Sequence, residues 1–248
     1  YLNDRVAIRH DLHAHPELAF HEVRTSDLVA RALAACGLEV HRGLAKTGVV
    51  GILRFGSGGR SIGLRADMDA LPVHEKNDFR HGSTQHGRMH ACGHDGHTTL
   101  LLGAARYLAE NRDRLDFEGT VHFIFQPAEE SEGGARVMID DGLFRQFPMD
   151  AVFALHNWPG IPVGEMAVSP GPVMAGTCAL EITVNGHGCH AAMPNLGVDT
   201  MVVASHLVVA LQTVVSRNIH PCEAAVVSVT QIHGGDAINV IPDDAMLR

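Results

Sequence analysis

The chain has 248 residues, which is enough for one large domain or two modest ones with a substantial core. Its net charge is −9, its Lys and Arg are scattered, and no uninterrupted apolar run approaches membrane-spanning length, so nucleic acid and membrane are excluded as expected partners. The five Cys are odd in number and widely spread, unlike the disulfide framework of a small secreted domain, and they predict a reducing, cytoplasmic setting.

Two helices are predicted near the beginning of the chain, over Val6 to Asp11 and Thr25 to Cys36, and Gly37 ends the second. Between them, His13 and His15 precede Pro16, which bars helix continuation at His15. These two histidines are expected to orient the chain near a functional site or to face solvent, and a metal-ligand role is the alternative.

Two apolar, β-prone runs follow, Val49 to Phe55 and Ser61 to Arg65, and the glycine-rich segment 56–59 between them predicts a hairpin-like turn. The second run leads directly to Asp67 and Asp69. The carboxyl ends of strands are where α/β proteins place their chemistry, so we expect a functional role for this pair. An Asx-turn that simply leaves the strand is the alternative.

The segment from Met89 to His97 concentrates metal-binding side chains, because it holds three His, one Cys and one Asp. Cys92 and His94 are two residues apart, and a thiolate with an imidazole suits zinc or another borderline transition metal. Helical spacing from Thr98 to Asn111 places this motif at a helix N-terminus, where the helix dipole favours the thiolate of Cys92. The alternative is a polar loop with solvated histidines.

Two further strands are predicted at residues 120–125 and 151–155. The first is followed by Glu129 and Glu130, a pair suited to combined ligand and general-base work, although a solvated acidic run remains open because more acidic residues follow. The second ends at His156. Three strand ends and one helix start therefore deliver polar side chains, and strands alternating with helices predict an α/β fold with a mostly parallel sheet.

A segment rich in Gly and Pro after Gly160 resembles a linker, and we place a domain boundary between residues 172 and 173. The second domain is predicted to hold a strand at residues 178–184, a helix at 198–217 and a strand at 224–232. This order fits a ferredoxin-like α+β unit that is incomplete in this sequence. His190 lies between its first strand and its helix.

The motifs together resemble the M20 metallopeptidase family, in the amidohydrolase branch that contains hippurate hydrolases, aminoacylases and auxin-conjugate hydrolases. Seven segments carry the resemblance in order along the whole chain: His13 to Glu17, Arg65 to Pro72, Met89 to Thr98, Gln126 to Gly134, Leu155 to Gly160, Gly186 to Pro194 and Asn239 to Pro242. The resemblance implies a zinc-peptidase-like catalytic domain, residues 1–172, and part of an inserted lid or dimerisation domain, residues 173–248, with a possible homodimer.

The resemblance also implies roles for individual residues. Two divalent ions, Zn, Mn, Co or Ni, would be held by four ligands: Cys92, His94, Glu130 and His156. Glu129 would be the general base, Asp69 would orient a ligand, and His190 and Asn239 would bind the substrate. A further ligand His of family members lies beyond the end of this sequence, and Cys189 stands where a Gly usually precedes His190.

The implied reaction is hydrolysis of the amide bond of an N-acyl amino acid such as hippurate, giving a carboxylic acid and a free amino acid. A catalytically incompetent metal-binding fragment, or a regulatory subunit of the same fold, is the alternative that the missing ligand motivates. A redox protein built on Cys92 is disfavoured because the sequence has no Cys-x-x-Cys.

Overall fold

The structure, a computed structural model, describes residues 2–248. The chain divides into two compact units, of which the first ends at Glu165 and the second comprises Met166–Arg248. The domain boundary expected between residues 172 and 173 stays a prediction. The two units are described separately below.

The helices of the first unit include both that the N-terminal sequence predicts. They are α1 (Leu2–Ala14), α2 (Val23–Ala35), α3 (His94–Glu110), α4 (Gly134–Asp140) and α5 (Leu143–Gln146). Helix α3 begins four residues before its predicted start, immediately after Gly93, whose φ of +99° is a left-handed conformation that suits glycine. The metal-binding motif therefore lies at a helix N-terminus, as predicted.

Five strands form the sheet of this unit: β1 (Glu39–Leu44), β2 (Gly48–Phe55), β3 (Ser61–Asp67), β4 (Gly119–Gln126) and β5 (Ala151–Ala154). Their order is β1-β2-β4-β3-β5. Strands β4, β3 and β5 are mutually parallel, whereas β2 pairs antiparallel with both β1 and β4. The predicted α/β class is confirmed, and the sheet is mixed because β1 and β2 add an antiparallel edge to the three parallel strands.

The predicted hairpin between β2 and β3 is wrong, because β4 lies between these two strands and pairs with both. Strand β2 instead forms its hairpin with β1, through a turn in which Ala45 and Lys46 have positive φ. Strand β1 has no continuous apolar run and is half exposed, so hydrophobic pattern alone does not reveal it. Turn residues indicate where the chain reverses direction, but they do not determine which strands pair in the sheet.

Both faces of the sheet are covered, which explains why its inner strands are almost continuously apolar. Along β4, Phe123 and Phe125 face one core with α2 and α3, and Ile124 faces a second core with α4 and α5. Phe123 is completely buried. Burying a side chain of this size contributes about 1.5–3 kcal/mol, so β4 anchors both layers of helices.

The second unit combines short strands with one long helix. Its elements are β6 (Ile182–Asn185), β7 (Cys189–His190), α6 (Thr200–Asn218), β8 (Ile232–His233), β9 (Val240–Ile241) and β10 (Asp244–Leu247). Strands β6, β10 and β8 form an antiparallel sheet, and β7 pairs with β9. Asp199 caps α6 by accepting hydrogen bonds from the backbone N–H groups of Met201 and Val202.

The helix predicted at residues 198–217 is confirmed by α6, but the strand predicted at 224–232 is wrong over most of its length. Residues 224–231 are not in a strand, and Val226 is exposed. β-Branched residues favour a strand only where a neighbouring strand and a core accept them. The complete ferredoxin-like unit and its lid role stay predictions.

Helix α6 also bears on the expectation that membranes are excluded. By length and composition alone it is long and apolar enough to cross a membrane. This is a weak indication, because core helices of folded domains meet the same criterion. Ala204 of α6 is buried in a small core together with Ala245 and Leu247 of β10, as expected of a helix that packs on a sheet.

Candidate metal centre

The topology of the sheet brings the polar strand ends together at one edge. Strands β3, β4 and β5 are parallel neighbours, so the residues that follow them emerge on the same side. Three overlapping groups have potential ligand atoms within 4.8 Å of one another: Cys92, His94 and His156; His94, Glu129 and Glu130; Asp67, His94 and His97. The first two of these groups together contain every metal ligand and the general base that are expected from the sequence.

His94 is the common member of all three groups and is completely buried. Its Nδ1 lies 3.3 Å from Asp69 Oδ1, whereas its Nε2 is buried without a hydrogen-bond partner. That Nε2 is 3.7 Å from Glu130 Oε1, which also lacks a partner, and 4.0 Å from Glu129 Oε2. Burial disfavours the charged ring, but Asp69 and the surrounding carboxylates outweigh it and raise the pKa of His94.

Asp69 connects the two halves of the candidate site. Besides contacting His94, it accepts a hydrogen bond from the backbone N–H of Glu130 through Oδ2, at 3.0 Å. Burial would raise the pKa of Asp69, but the hydrogen bonds from His94 and from the backbone prevail and lower it. An ionised Asp69 therefore orients both His94 and the segment that carries the two glutamates.

Cys92 faces His156 across the site, with Sγ 3.5 Å from the ring Nε2. The Nδ1 of His156 donates to the carbonyl of Asn157 at 2.7 Å, which leaves Nε2 as the free lone pair. Burial, together with the negative charge of Glu130, raises the pKa of the Cys92 thiol to about 12. The expectation that the helix dipole favours a thiolate is therefore wrong for the metal-free site, where burial and the neighbouring carboxylates favour the neutral thiol.

The buried contact between His97 and Asp67 was not identified from the sequence. The His97 side chain is buried one turn after His94, and its Nδ1 lies 2.6 Å from Asp67 Oδ1. Asp67 also accepts a hydrogen bond from Arg65 at 2.8 Å. Although burial opposes ionisation, the hydrogen bond from His97 and the charges of His94 and Arg65 lower the pKa of Asp67 to about 2. The i, i+3 spacing of His94 and His97 on one helix face was the available signal.

The histidines before Pro16 lie outside the three ligand groups found among residues 2–248. His13 is buried between two carboxylates, with Nδ1 3.0 Å from Asp95 Oδ2 and Nε2 3.1 Å from Glu75 Oε1. His15 Nδ1 instead donates to the carbonyl of Asp11. These contacts fit the expected orienting role of His13, because Asp95 is adjacent to His94.

The two residues expected to bind the substrate are neighbours within the second unit. His190 lies in β7, and its Nδ1 accepts a hydrogen bond from the backbone N–H of Ala192. Asn239 immediately precedes β9, the partner strand of β7, and its carbonyl accepts from the backbone N–H of Ala191 at 3.0 Å. Their roles stay predictions.

Comparisons with known proteins agree with the resemblance read from the motifs. The chain is 47% identical to the hippurate hydrolase of Campylobacter jejuni, over 97% of this chain and 62% of that protein. It is 44% identical to an N-acetyl-L-cysteine deacetylase of Bacillus subtilis, over 98% of this chain and 58% of that protein. The chain thus spans about six tenths of the length of these relatives.

A solved structure supports the same grouping. The YXEP protein of Bacillus subtilis, described as a dinuclear metal binding peptidase from the M20 family, superposes with a TM-score of 0.68 at 36% identity, covering 99% of this chain and 62% of that one. Residues 63–246 of this chain match the model of Peptidase family M20/M25/M40. The predicted family is confirmed: this chain belongs to Peptidase family M20/M25/M40.

Proposed function

We propose that the whole protein is a metal-dependent amidohydrolase that cleaves the amide bond of N-acyl amino acids. The observation that carries the proposal is the buried Nε2 of His94, which has no hydrogen-bond partner and faces the carboxylates of Glu129 and Glu130. Buried polar atoms are rarely left unpaired, so this arrangement fits a cation that would satisfy both His94 and Glu130.

We assign the ligand positions to four residues: Cys92, His94, Glu130 and His156. A thiol and two imidazoles with one carboxylate suit borderline transition metals, so zinc, manganese, cobalt and nickel are the candidates. When bound, two such ions would lower the pKa of a water molecule and polarise the scissile carbonyl. The thiol of Cys92, whose pKa is about 12 without metal, would release its proton on binding.

Glu129 is the proposed general base, because its carboxylate is partly exposed beside the ligand groups and its Oε2 lies 4.0 Å from His94 Nε2. It would accept the proton of the attacking water and deliver it to the leaving amine nitrogen. Asp69 would keep the Glu129–Glu130 segment in place through the backbone N–H of Glu130. His190 and Asn239 would bind the carboxylate or the developing oxyanion of the substrate.

The substrate class follows from what the named relatives have in common. Hippurate and N-acetylcysteine both join an acyl group to an amino acid that keeps a free carboxylate. An aroyl or acetyl amino acid is therefore the proposed substrate, and the choice of acyl group depends on the shape of loops around the site.

The test is Glu129→Gln in the whole protein, assayed with hippurate and a panel of N-acetyl amino acids after loading with each metal. We expect kcat to fall by about 10²–10⁴-fold while two ions remain bound, because the amide cannot accept the proton. Glu132→Gln is the matched control, since Glu132 is exposed in the same acidic segment and should retain activity. Unchanged turnover in Glu129→Gln with metal bound contradicts this role.

The same assay separates the alternative of a catalytically incompetent, regulatory protein. Two bound ions without turnover of any substrate in the panel would support that alternative. Location and assembly are proposals as well. All five cysteines are free, which supports the proposal of a reducing cytoplasm. The proposed homodimer would be tested by size-exclusion chromatography of the whole protein.

A further inference from the structure

His97 is buried within the candidate site but has no part in the proposed reaction. It lies on α3 one turn after His94, and both nitrogens of its ring are engaged. Asp67 Oδ1 is 2.6 Å from Nδ1, and an ionised carboxylate can only accept, so Nδ1 carries a proton and donates it. The opposite nitrogen, Nε2, is therefore the one that can form hydrogen bonds with a different part of the site.

That opposite nitrogen, Nε2, is directed at Asn157. It lies 3.0 Å from the backbone N and 2.5 Å from the side-chain Oδ1 of Asn157. In either state of the ring it has a partner there, because a neutral ring accepts from the backbone N–H and a protonated ring donates to Oδ1. His97 thus connects Asp67, at the end of β3, with the segment that follows β5.

Asn157 is adjacent to the ligand His156 and also sets the orientation of its ring, because its carbonyl accepts from His156 Nδ1 at 2.7 Å. This contact leaves His156 Nε2 facing Cys92. The pairing of β5 with β3 ends at Ala154, two residues before His156. Among the described residues, the hydrogen bonds of Asn157 to His97 and the ring contact of His97 with His156, whose centroids are 4.6 Å apart, connect this segment with α3.

Gly93 shows how closely α3 surrounds Asn157. A Cβ at position 93 would lie 2.5 Å from Asn157 Oδ1, well inside contact distance. Only a glycine leaves room for the amide there, and only a glycine adopts φ +99° without strain. The helix start is thus shaped to receive Asn157 from one side, with His97 on the other.

We propose that His97 is a positioning residue that holds Asn157, and through it His156, so that His156 and Cys92 can bind the same metal ion. His97 itself is not a ligand, because both of its ring nitrogens already have partners. The proposal rests on the metal sites of the proposed function. It predicts that loss of the Nε2 contact weakens one metal position selectively and leaves the other intact.

Two substitutions divide the contacts of His97. In His97→Asn, the amide nitrogen can replace Nδ1 and keep the bond to Asp67, but nothing reaches Asn157. In His97→Gln, the longer amide can reach Asn157 in place of Nε2. Metal-free whole protein would be titrated with Zn²⁺ by calorimetry, and bound metal would be counted by mass spectrometry. Co²⁺ titration would follow the thiolate-to-cobalt absorption of Cys92.

We expect His97→Asn to weaken one of the two binding events by about 10–100-fold, which is typical of lost support behind a metal ligand, and His97→Gln to recover most of it. In His97→Asn, the Co²⁺ absorption of Cys92 should appear only at a higher Co²⁺ concentration, and His97→Gln should restore most of the wild-type titration. His122→Asn is the control, since His122 is equally buried on β4 and should leave both binding events unchanged.

Several outcomes would overturn the proposal. If His97→Asn binds both ions as tightly as the wild type, His97 does not position His156. If both substitutions abolish one binding event equally, His97 acts as a ligand. If both binding events weaken together, its role is only structural. Wild-type protein that binds two ions without hydrolysing any substrate would refute the proposed function and leave this inference standing.

Discussion

Glu22 offers a sharp test of how the glutamate pair is held in place. This carboxylate is completely buried and accepts three hydrogen bonds. The donors are the hydroxyl of Thr47 at 2.7 Å, the backbone N–H of Ala128 at 2.9 Å and that of Phe20 at 3.1 Å. Ala128 has φ +54° and directly precedes Glu129, so Glu22 supports a strained backbone at the proposed base.

Two substitutions of Glu22 should have very different effects. Glu22→Ala leaves three donors without an acceptor, and each such buried group costs about 1–3 kcal/mol, so we expect a loss of about 3–9 kcal/mol in the free energy of unfolding. Glu22→Gln keeps one oxygen for the two backbone N–H groups, and its amide nitrogen can donate to Thr47. We therefore expect a loss of only about 1 kcal/mol.

The pH dependence of these variants follows from the direction of the pKa shift. Burial raises the pKa of Glu22, despite the opposing hydrogen bonds from Thr47 and the backbone. The folded state then holds the proton more tightly than the unfolded state, whose pKa is near 4.5. Stability falls as pH rises from that value through the raised pKa. Glu22→Gln has no carboxylate to ionise, so its stability does not fall in this pH range. The difference in the free energy of unfolding between the wild type and Glu22→Gln should therefore be smaller at pH values above the raised pKa.

The assay is urea unfolding of the metal-free whole protein at pH 5 and pH 8, with Glu132→Ala as an exposed control. Removing metal keeps binding from contributing to the measured stability. The dependence of unfolding on urea should be unchanged in all variants, so that midpoints report stability. If the free energy of unfolding of Glu22→Ala is within about 1 kcal/mol of the wild-type value, the reasoning is refuted, because three buried donors without an acceptor should cost more than that.

Three further predictions test other parts of the first unit. Gly93→Ala should cost at least about 1–2 kcal/mol in thermal unfolding and weaken metal binding, since the residue has φ +99° and its Cβ would strike Asn157; a neutral result would contradict that contact. Phe123→Ala should cost about 3–5 kcal/mol in chemical denaturation, because the ring is completely buried on β4. Glu39→Gln should change stability by less than about 1 kcal/mol, because the pair with Arg54 is largely exposed.

The strand ends show what sequence can reveal about this site. Asp69, Glu130 and His156 each follow an apolar run, and parallel neighbours necessarily release their next residues at one edge of a sheet. Periodicity and turn residues were therefore sufficient to place them together. The pairing that put β4 between β2 and β3 was not accessible in the same way, because partners distant in sequence leave no local pattern.

Charge at the site illustrates the opposite case. The position of Cys92 before α3 is visible in the sequence and suggests a thiolate, but burial and three carboxylates at the ends of β3 and β4 act against it. Likewise, the spacing of His94 and His97 shows only that they share a helix face. Which of them has a free nitrogen depends on Asp67 and Asn157, residues that reach α3 only after the sheet has formed.

The central position of β4 also governs how this unit can fold. Its register pairs residue 49 with 125 and residue 61 with 120. Strands β2 and β3 therefore cannot complete their pairing until β4, which is synthesised much later, is available. Contacts between such distant residues slow folding, because a long loop must close before any pairing stabilises it. During synthesis, the β1–β2 hairpin and β3 therefore leave the ribosome with open edges. Nascent chains that end before Gly119 should remain sensitive to protease, and chains that extend beyond Ala154 should become resistant.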